Sequence, residues 1–208
     1  RLAVVLILPA TFGLFMLATP VIGLIFEHGA FTATDTTVTA LALRLYLLGL
    51  PFAAIDLLLV FAFYARQDTV TPALVGIVTL GAYMITAIVL LPSIGFLSLM
   101  VADSVKHALH SMISGVILSR RVGGLHNHSL FSTVLHATFA ATVMGIGAYL
   151  ALLGLEHLIS SGTIFSELFH VIGAGMTGAV IYVVLGNILG LRELRWMTTF
   201  VRTRFSRA

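Results

Sequence analysis

Four ionisable side chains in one apolar stretch, Asp103, Lys106, His107 and His110, recur at i, i+3, i+4 and i+7. That spacing places them on one stripe of an α-helix, and Ser114 continues the stripe at i+11. A carboxylate, an ammonium and two imidazoles in a row admit three kinds of chemistry. Asp103 and Lys106 can neutralise each other one turn apart. The whole stripe can wall a hydrated cavity that meets a substrate or an ion. Asp103, His107 and His110 also have helical spacing that suits a metal, although no glutamate accompanies them in the HExxH manner. No resident metal or other cofactor is expected. The two histidines belong to the residue type that changes charge near neutral pH.

Two more charges, Arg44 and Asp56, share the second apolar run. Twelve helical residues separate them, about 18 Å, so they cannot pair with each other. Each needs water, a substrate or a residue from another helix. Between them Gly49 and Pro51 should bend the helix, because proline removes a backbone hydrogen bond. Pro9 and Pro20 should do the same in the first run. Bends beside buried charges suit a gated cavity, and a fixed kink is equally compatible.

The elements that position these groups follow from composition. Of 208 residues, 59% are apolar and 9% charged, with mean hydropathy +1.10. Soluble domains are about 45–50% apolar and about 25% charged, so the bilayer must act as solvent for much of this chain. There is no cysteine, which excludes disulfides and thiolate metal sites. Six runs of about 20 apolar residues qualify as spans: 2–26, 38–63, 72–91, 94–118, 130–153 and 165–189. Asp35 is a candidate N-cap for the second, and Thr71-Pro72 offers a cap and a first-turn proline for the third. Pro92, Gly123-Gly124, Gly154, Gly162 and Gly190 punctuate the remainder.

Loop charge gives an orientation. Nine of the eleven Lys and Arg residues fall in the N-terminus, 64–71, 119–129 and the tail from 190. The opposite connections, 27–37, 92–93 and 154–164, contain none, so the positive-inside rule puts both ends in the cytoplasm. The basic pI of 9.7 thus reflects topology, and no nucleic-acid partner is expected. Leu194, Met197, Val201 and Phe205 recur at helical spacing in the tail, which reads as a basic amphipathic helix on the anionic leaflet over 192–208. The last two spans offer His136 and His170 as their ionisable intramembrane candidates, both near span ends and expected to be interfacial or hydrogen-bonded. Their Ala141/Gly145 and Ala174/Gly178 pairs favour close packing, and the pair reads as lipid-facing. With Arg1-Leu2 entering an apolar run at once and no cleavage site, the chain reads as the C-terminal part of a longer protein.

Residues 9–72 carry a resemblance. The runs Pro9-Ala10-Thr11-Phe12-Gly13-Leu14, Thr19-Pro20-Val21-Ile22, Phe26-Glu27-His28-Gly29-Ala30-Phe31 and Asp35-Thr36 resemble the lipid II flippases of the MurJ/MviN family. So do Tyr46-Leu47-Leu48-Gly49-Leu50-Pro51, Ala62-Phe63-Tyr64-Ala65-Arg66-Gln67-Asp68-Thr69 and Thr71-Pro72. The resemblance implies an all-α polytopic membrane protein of the multidrug and oligosaccharide-lipid exporter superfamily, with this chain at helices nine to fourteen of fourteen. It implies that 1–128 lines a central cavity, that 129–191 forms a groove for an undecaprenyl tail, and that a preceding N-terminal lobe completes the cavity. The implied activity is flipping of lipid-linked peptidoglycan precursor across the bacterial cytoplasmic membrane by alternating access. Arg44, Asp56, Asp103, Lys106, His107 and His110 become the cavity candidates, and Pro9, Pro20, Gly49 and Pro51 the gating candidates. Some relatives bind sodium on the helix matching 72–91. Here that helix offers Thr79, Tyr83 and Thr86 without Asn or Asp, which leaves membrane potential or protons for coupling. Alternatives are a drug or polysaccharide-lipid exporter of the same fold, and an intramembrane metalloenzyme using Asp103, His107 and His110.

Overall fold

A computed structural model of the chain describes residues 1–122, 129–158, 163–191 and 193–194. These form eight helices in chain order: α1 (Leu2–Met16), α2 (Ala18–Phe26), α3 (Ala33–Leu47), α4 (Leu50–Ala65), α5 (Val70–Ile94), α6 (Leu97–Val122), α7 (Ser129–Leu158) and α8 (Ile164–Ile188). They group into two compact units whose boundary falls inside α3: residues 1–38 with 128–208, and residues 39–127.

Proline chemistry explains both broken spans. α1 and α2 meet at a 71° bend, and α3 and α4 at 41°. A proline ring clashes with the carbonyl four residues earlier and leaves it without an N–H donor. Four residues before Pro20 is Met16, the last residue of α1, and four before Pro51 is Leu47, the last of α3. Pro9 behaves differently, because α1 runs through it unbroken.

Three helices, Val70–Ile94, Ser132–Leu158 and Ile164–Ile188, are long and apolar enough to span a bilayer alone, and the two bent pairs bring the number to five. The sixth expected span is α6. At 26 residues it has the length, but its polar stripe makes it less apolar than the other spans. α5 shows the lipid-facing character plainly: Ile77, Val78, Ile85, Ile88 and Val89 are each about two-thirds exposed. Water does not tolerate so continuous an apolar face, whereas hydrocarbon does.

In the first unit α7 is central, packed between α1 and α8. Ala137, Ala140, Ala141, Met144, Ala148 and Leu152 of α7 are all buried. The other face of α7 is apolar and exposed through Leu135, Phe139, Ile146 and Leu150, as is that of α8 through Met176, Val180 and Ile188. The small residues divide between two interfaces. A Cβ at Gly145 would stand 3.4 Å from the Phe12 carbonyl of α1, whereas one at Gly178 would stand 3.0 Å from Ala148 of α7. In the second unit α6 is central, packed on α5 and α4.

Several helix ends differ from expectation. Thr32 precedes α3 and exchanges hydrogen bonds with Asp35 (Thr32 N to Oδ2, 2.9 Å), so Asp35 is the reciprocal partner of the capping threonine rather than the cap. The Thr32 side chain and backbone hold the Asp35 carboxyl below its ordinary value. At α5, Asp68 accepts from Thr71 N at 2.9 Å and Thr71 Oγ1 at 2.6 Å, replacing the expected Thr71 cap. Those bonds, with the Arg121 guanidinium beside them, bring the Asp68 carboxyl down to about 2. α5 ends at Gly95 (φ +59°) rather than Pro92, and α8 ends on Gly190 (φ +73°), where Leu191 N reaches the Gly186 carbonyl at 2.9 Å. Gly123, Gly124, Gly162 and most of the amphipathic tail expected over 192–208 lie outside the described residues.

Candidate functional site: a carboxylate and histidine network

The second unit builds a continuous polar network along α6. Asp103 pairs with Lys106 within the helix, and the Lys106 ammonium lies 5.8 Å from the centre of the Tyr83 ring. His107 stands between two carboxylates, its Nδ1 3.6 Å from Asp56 and its Nε2 3.7 Å from Asp103. His107 Nδ1 is buried with no hydrogen-bond partner. His110 Nδ1 is bonded to Asp56 Oδ1, and its Nε2 lies 3.3 Å from the carbonyl of Pro72 on α5. Ser114 Oγ closes the row 3.4 Å from His110 Nδ1.

Each ring nitrogen of His110 therefore faces an acceptor, Asp56 on α4 and the Pro72 carbonyl on α5, and which of them carries hydrogen depends on the tautomer. Unpartnered polar groups among apolar helices are costly, so this pairing ties α4, α5 and α6 together.

Five of the six expected cavity residues, Asp56, Asp103, Lys106, His107 and His110, come together here. Arg44 lies half-buried in the last turn of α3. The self-neutralised Asp103–Lys106 pair is present, and it continues into the longer network. The three proposed metal ligands do not converge, because His110 is turned to Asp56 and Pro72. Among the described residues no group of three or more His, Cys, Asp or Glu stands where one metal ion could be held. The Asp56–His110 pairing was invisible in the sequence, since 54 positions separate its members.

Gly49 and Ser104 lock this unit. A Cβ at Gly49 would fall 2.7 Å from Ser104 Cα, so only glycine permits the approach. Gly49 N bonds Tyr46 O at 3.1 Å instead of the carbonyl of Leu45, and Ser104 Oγ donates to that released carbonyl at 2.8 Å. Side chains commonly satisfy backbone groups freed at helix breaks inside membranes.

In the first unit, an apolar cavity of about 480 Å³ runs along α1, α7 and α8. Pro9, Gly13, Leu17, Met144, Ala179 and Tyr182 are among its walls.

Helices packed through small residues, bends at proline and a partly buried charged network define a polytopic α-helical membrane protein. Residues 1–172 match the family model described as lipid II flippase MurJ, and the chain belongs to that family. It is 34% identical over 136 residues to a probable lipid II flippase MurJ of Rickettsia prowazekii, covering 65% of this chain and 25% of the relative. It is 29% identical over 190 residues to a probable lipid II flippase MurJ of Thermotoga maritima, covering 91% and 36%. Among solved structures it is similar to a lipid II flippase MurJ in an inward closed conformation, with TM-score 0.71 and 23% identity, covering 89% of this chain and 36% of that one. The chain spans about a quarter to a third of the length of the curated relatives it matches.

Proposed function

We propose that this chain is the C-terminal portion of a flippase that moves lipid-linked peptidoglycan precursor, lipid II, between the leaflets of the bacterial cytoplasmic membrane by alternating access. The family match over residues 1–172 carries this reading, and the geometry supplies parts that such a task needs. The apolar cavity beside α7 and α8 suits an undecaprenyl tail. The network on α4 and α6 suits the polar side of a translocation cavity, with a preceding N-terminal lobe completing the enclosure. The loop charges support a cytoplasmic position for the N- and C-terminal ends of this segment.

Within this reading Arg44 and Lys106 attract the phosphates and carboxylates of the substrate, strongly so in a low-dielectric cavity. Asp56, His107 and His110 exchange protons as the cavity opens and closes, so protons or membrane potential drive the cycle in place of sodium. Pro20, Gly49 and Pro51 sit at the bends about which the helices pivot.

The test is complementation. A bacterium depleted of its own lipid II flippase should grow when supplied with the full-length gene containing this segment. Failure to restore growth, with the protein present in the membrane, would remove the lipid II assignment.

A further inference from the structure

The helical spacing of the tail predicts Leu194 on the bilayer surface, but it is buried against α8. Beyond α8, Gly190 at φ +73° reverses the chain, and Leu191 N donates to the Gly186 carbonyl at 2.9 Å. Leu191 and Leu194 are 3% and 5% exposed. Both rest in a notch at Gly186, where a Cβ would overlap Leu194 Cδ1 and stand 3.3 Å from Leu191 Cδ1. Two glycines thus seat one short segment: Gly190 turns it back and Gly186 makes room for its leucines.

That segment meets the apolar cavity of about 480 Å³, and Leu194 is one of its walls. The lining shows which end it occupies. Val5 and Tyr182 lie together, because the Tyr182 phenol bonds the Val5 carbonyl. Gly186, where Leu194 rests, is one turn beyond Tyr182 on α8. Leu17 and Val21 mark the other end. From Val5 to Leu17 the helix advances about 18 Å, slightly more than the roughly 15 Å of one leaflet's hydrocarbon. An apolar cavity of that length is shaped for a hydrocarbon chain.

We propose that residues 190–194 form the end wall of this cavity, and that Leu194 sets how far the isoprenoid chain of a lipid substrate reaches into it. The occupant rests on the lipid-flipping reading above; the stop rests on the seating of Leu194. A chain gains affinity with each carbon that enters the cavity, and it gains nothing more once it meets the wall.

The rulers are n-alkyl phosphates of increasing length, each below its critical micelle concentration, titrated into the purified full-length protein in amphipol. In the parent, affinity should rise severalfold or more for each added pair of carbons and then level off. Leu194→Ala should move that break to chains longer by about two carbons, and Leu194→Phe should move it to shorter ones. A merely structural defect lowers affinity at every length and leaves the break in place. An unmoved break in both variants would therefore overturn the end wall. Undecaprenyl phosphate should displace the bound alkyl phosphate, and failure to displace it would overturn the isoprenoid occupant. If the parent binds no length, the cavity holds no chain and the proposal falls. Complementation tests the lipid II assignment separately, so each can fail without the other.

Discussion

The phenol of Tyr182 on α8 donates a 2.7 Å hydrogen bond to the backbone carbonyl of Val5 on α1. Val5 lies four residues before Pro9, and it is the acceptor that proline leaves without its helical donor. A side chain 177 positions away replaces the missing N–H, and α1 continues through Pro9 without a break. Pro9 is therefore a packing device in this fold, whereas Pro20 and Pro51 stand at the bends.

That relationship predicts a specific coupling. Tyr182→Phe should destabilise the protein by about 1 kcal/mol, since a buried carbonyl loses its donor. In a Pro9→Ala background residue 9 regains its N–H, and the same substitution should cost only a few tenths of a kcal/mol. Unfolding free energies of the four proteins in detergent micelles check this, and equal costs in both backgrounds would contradict it.

Gly49 should resist substitution more than its neighbours in composition. Gly49→Ala places a Cβ against Ser104 backbone and should cost about 1–3 kcal/mol through overpacking. Gly81→Ala, on α5 with nothing within 4 Å of the new Cβ, should be neutral or slightly stabilising. Thermal unfolding of both variants separates a steric requirement from a general need for glycine.

The Asp56–His110 pair distinguishes loss of charge from loss of a partner. Asp56→Asn keeps an amide donor for a neutral His110 Nδ1 and should cost about 1 kcal/mol. Asp56→Leu strands the imidazole and should cost about 3–5 kcal/mol. Denaturant unfolding gives the stability difference. The ¹⁵N shifts of labelled His110 should differ between the parent and Asp56→Asn, because the partner of Nδ1 changes from a carboxyl to an amide.

Asp68 sets a pH dependence outside the spans. Its carboxyl is lowered from 3.8 to about 2 by hydrogen bonds from the Thr71 side chain and backbone, with Arg121 adding to them. A depressed folded-state value contributes stability above the unfolded value and loses it as pH falls. The advantage of the parent over Asp68→Asn should be full above about pH 4 and vanish as pH drops through about 2. Paired unfolding measurements across that window test it, and a constant difference would place the stabilisation elsewhere.

Much of the helical layout was legible because hydropathy and proline are local signals. Runs 72–91, 94–118 and 165–189 became α5, α6 and α8 with ends shifted by up to four residues, where glycine C-caps and Asp68 overrode the proline and threonine signals. In the first span Pro9 and Pro20 were equal candidates for a bend, and nothing local showed that only Pro20 would break the helix. That outcome depends on Tyr182, which hydropathy reads as one more apolar residue. The stripe Asp103, Lys106, His107 and His110 was legible from spacing alone. Its closure by Asp56 and Pro72 was not, because pairing between helices leaves no periodic trace.

The most direct test of the central claim measures lipid II in the outer leaflet of cells that depend on the full-length protein, by its accessibility to an externally added cleaving enzyme. Replacing Arg44, Asp56, Asp103, Lys106, His107 and His110 together by small neutral residues should leave membrane insertion near the parent level. It should reduce outer-leaflet lipid II to that of depleted cells. Undiminished lipid II at the outer face in that variant would contradict the assignment of these residues to translocation.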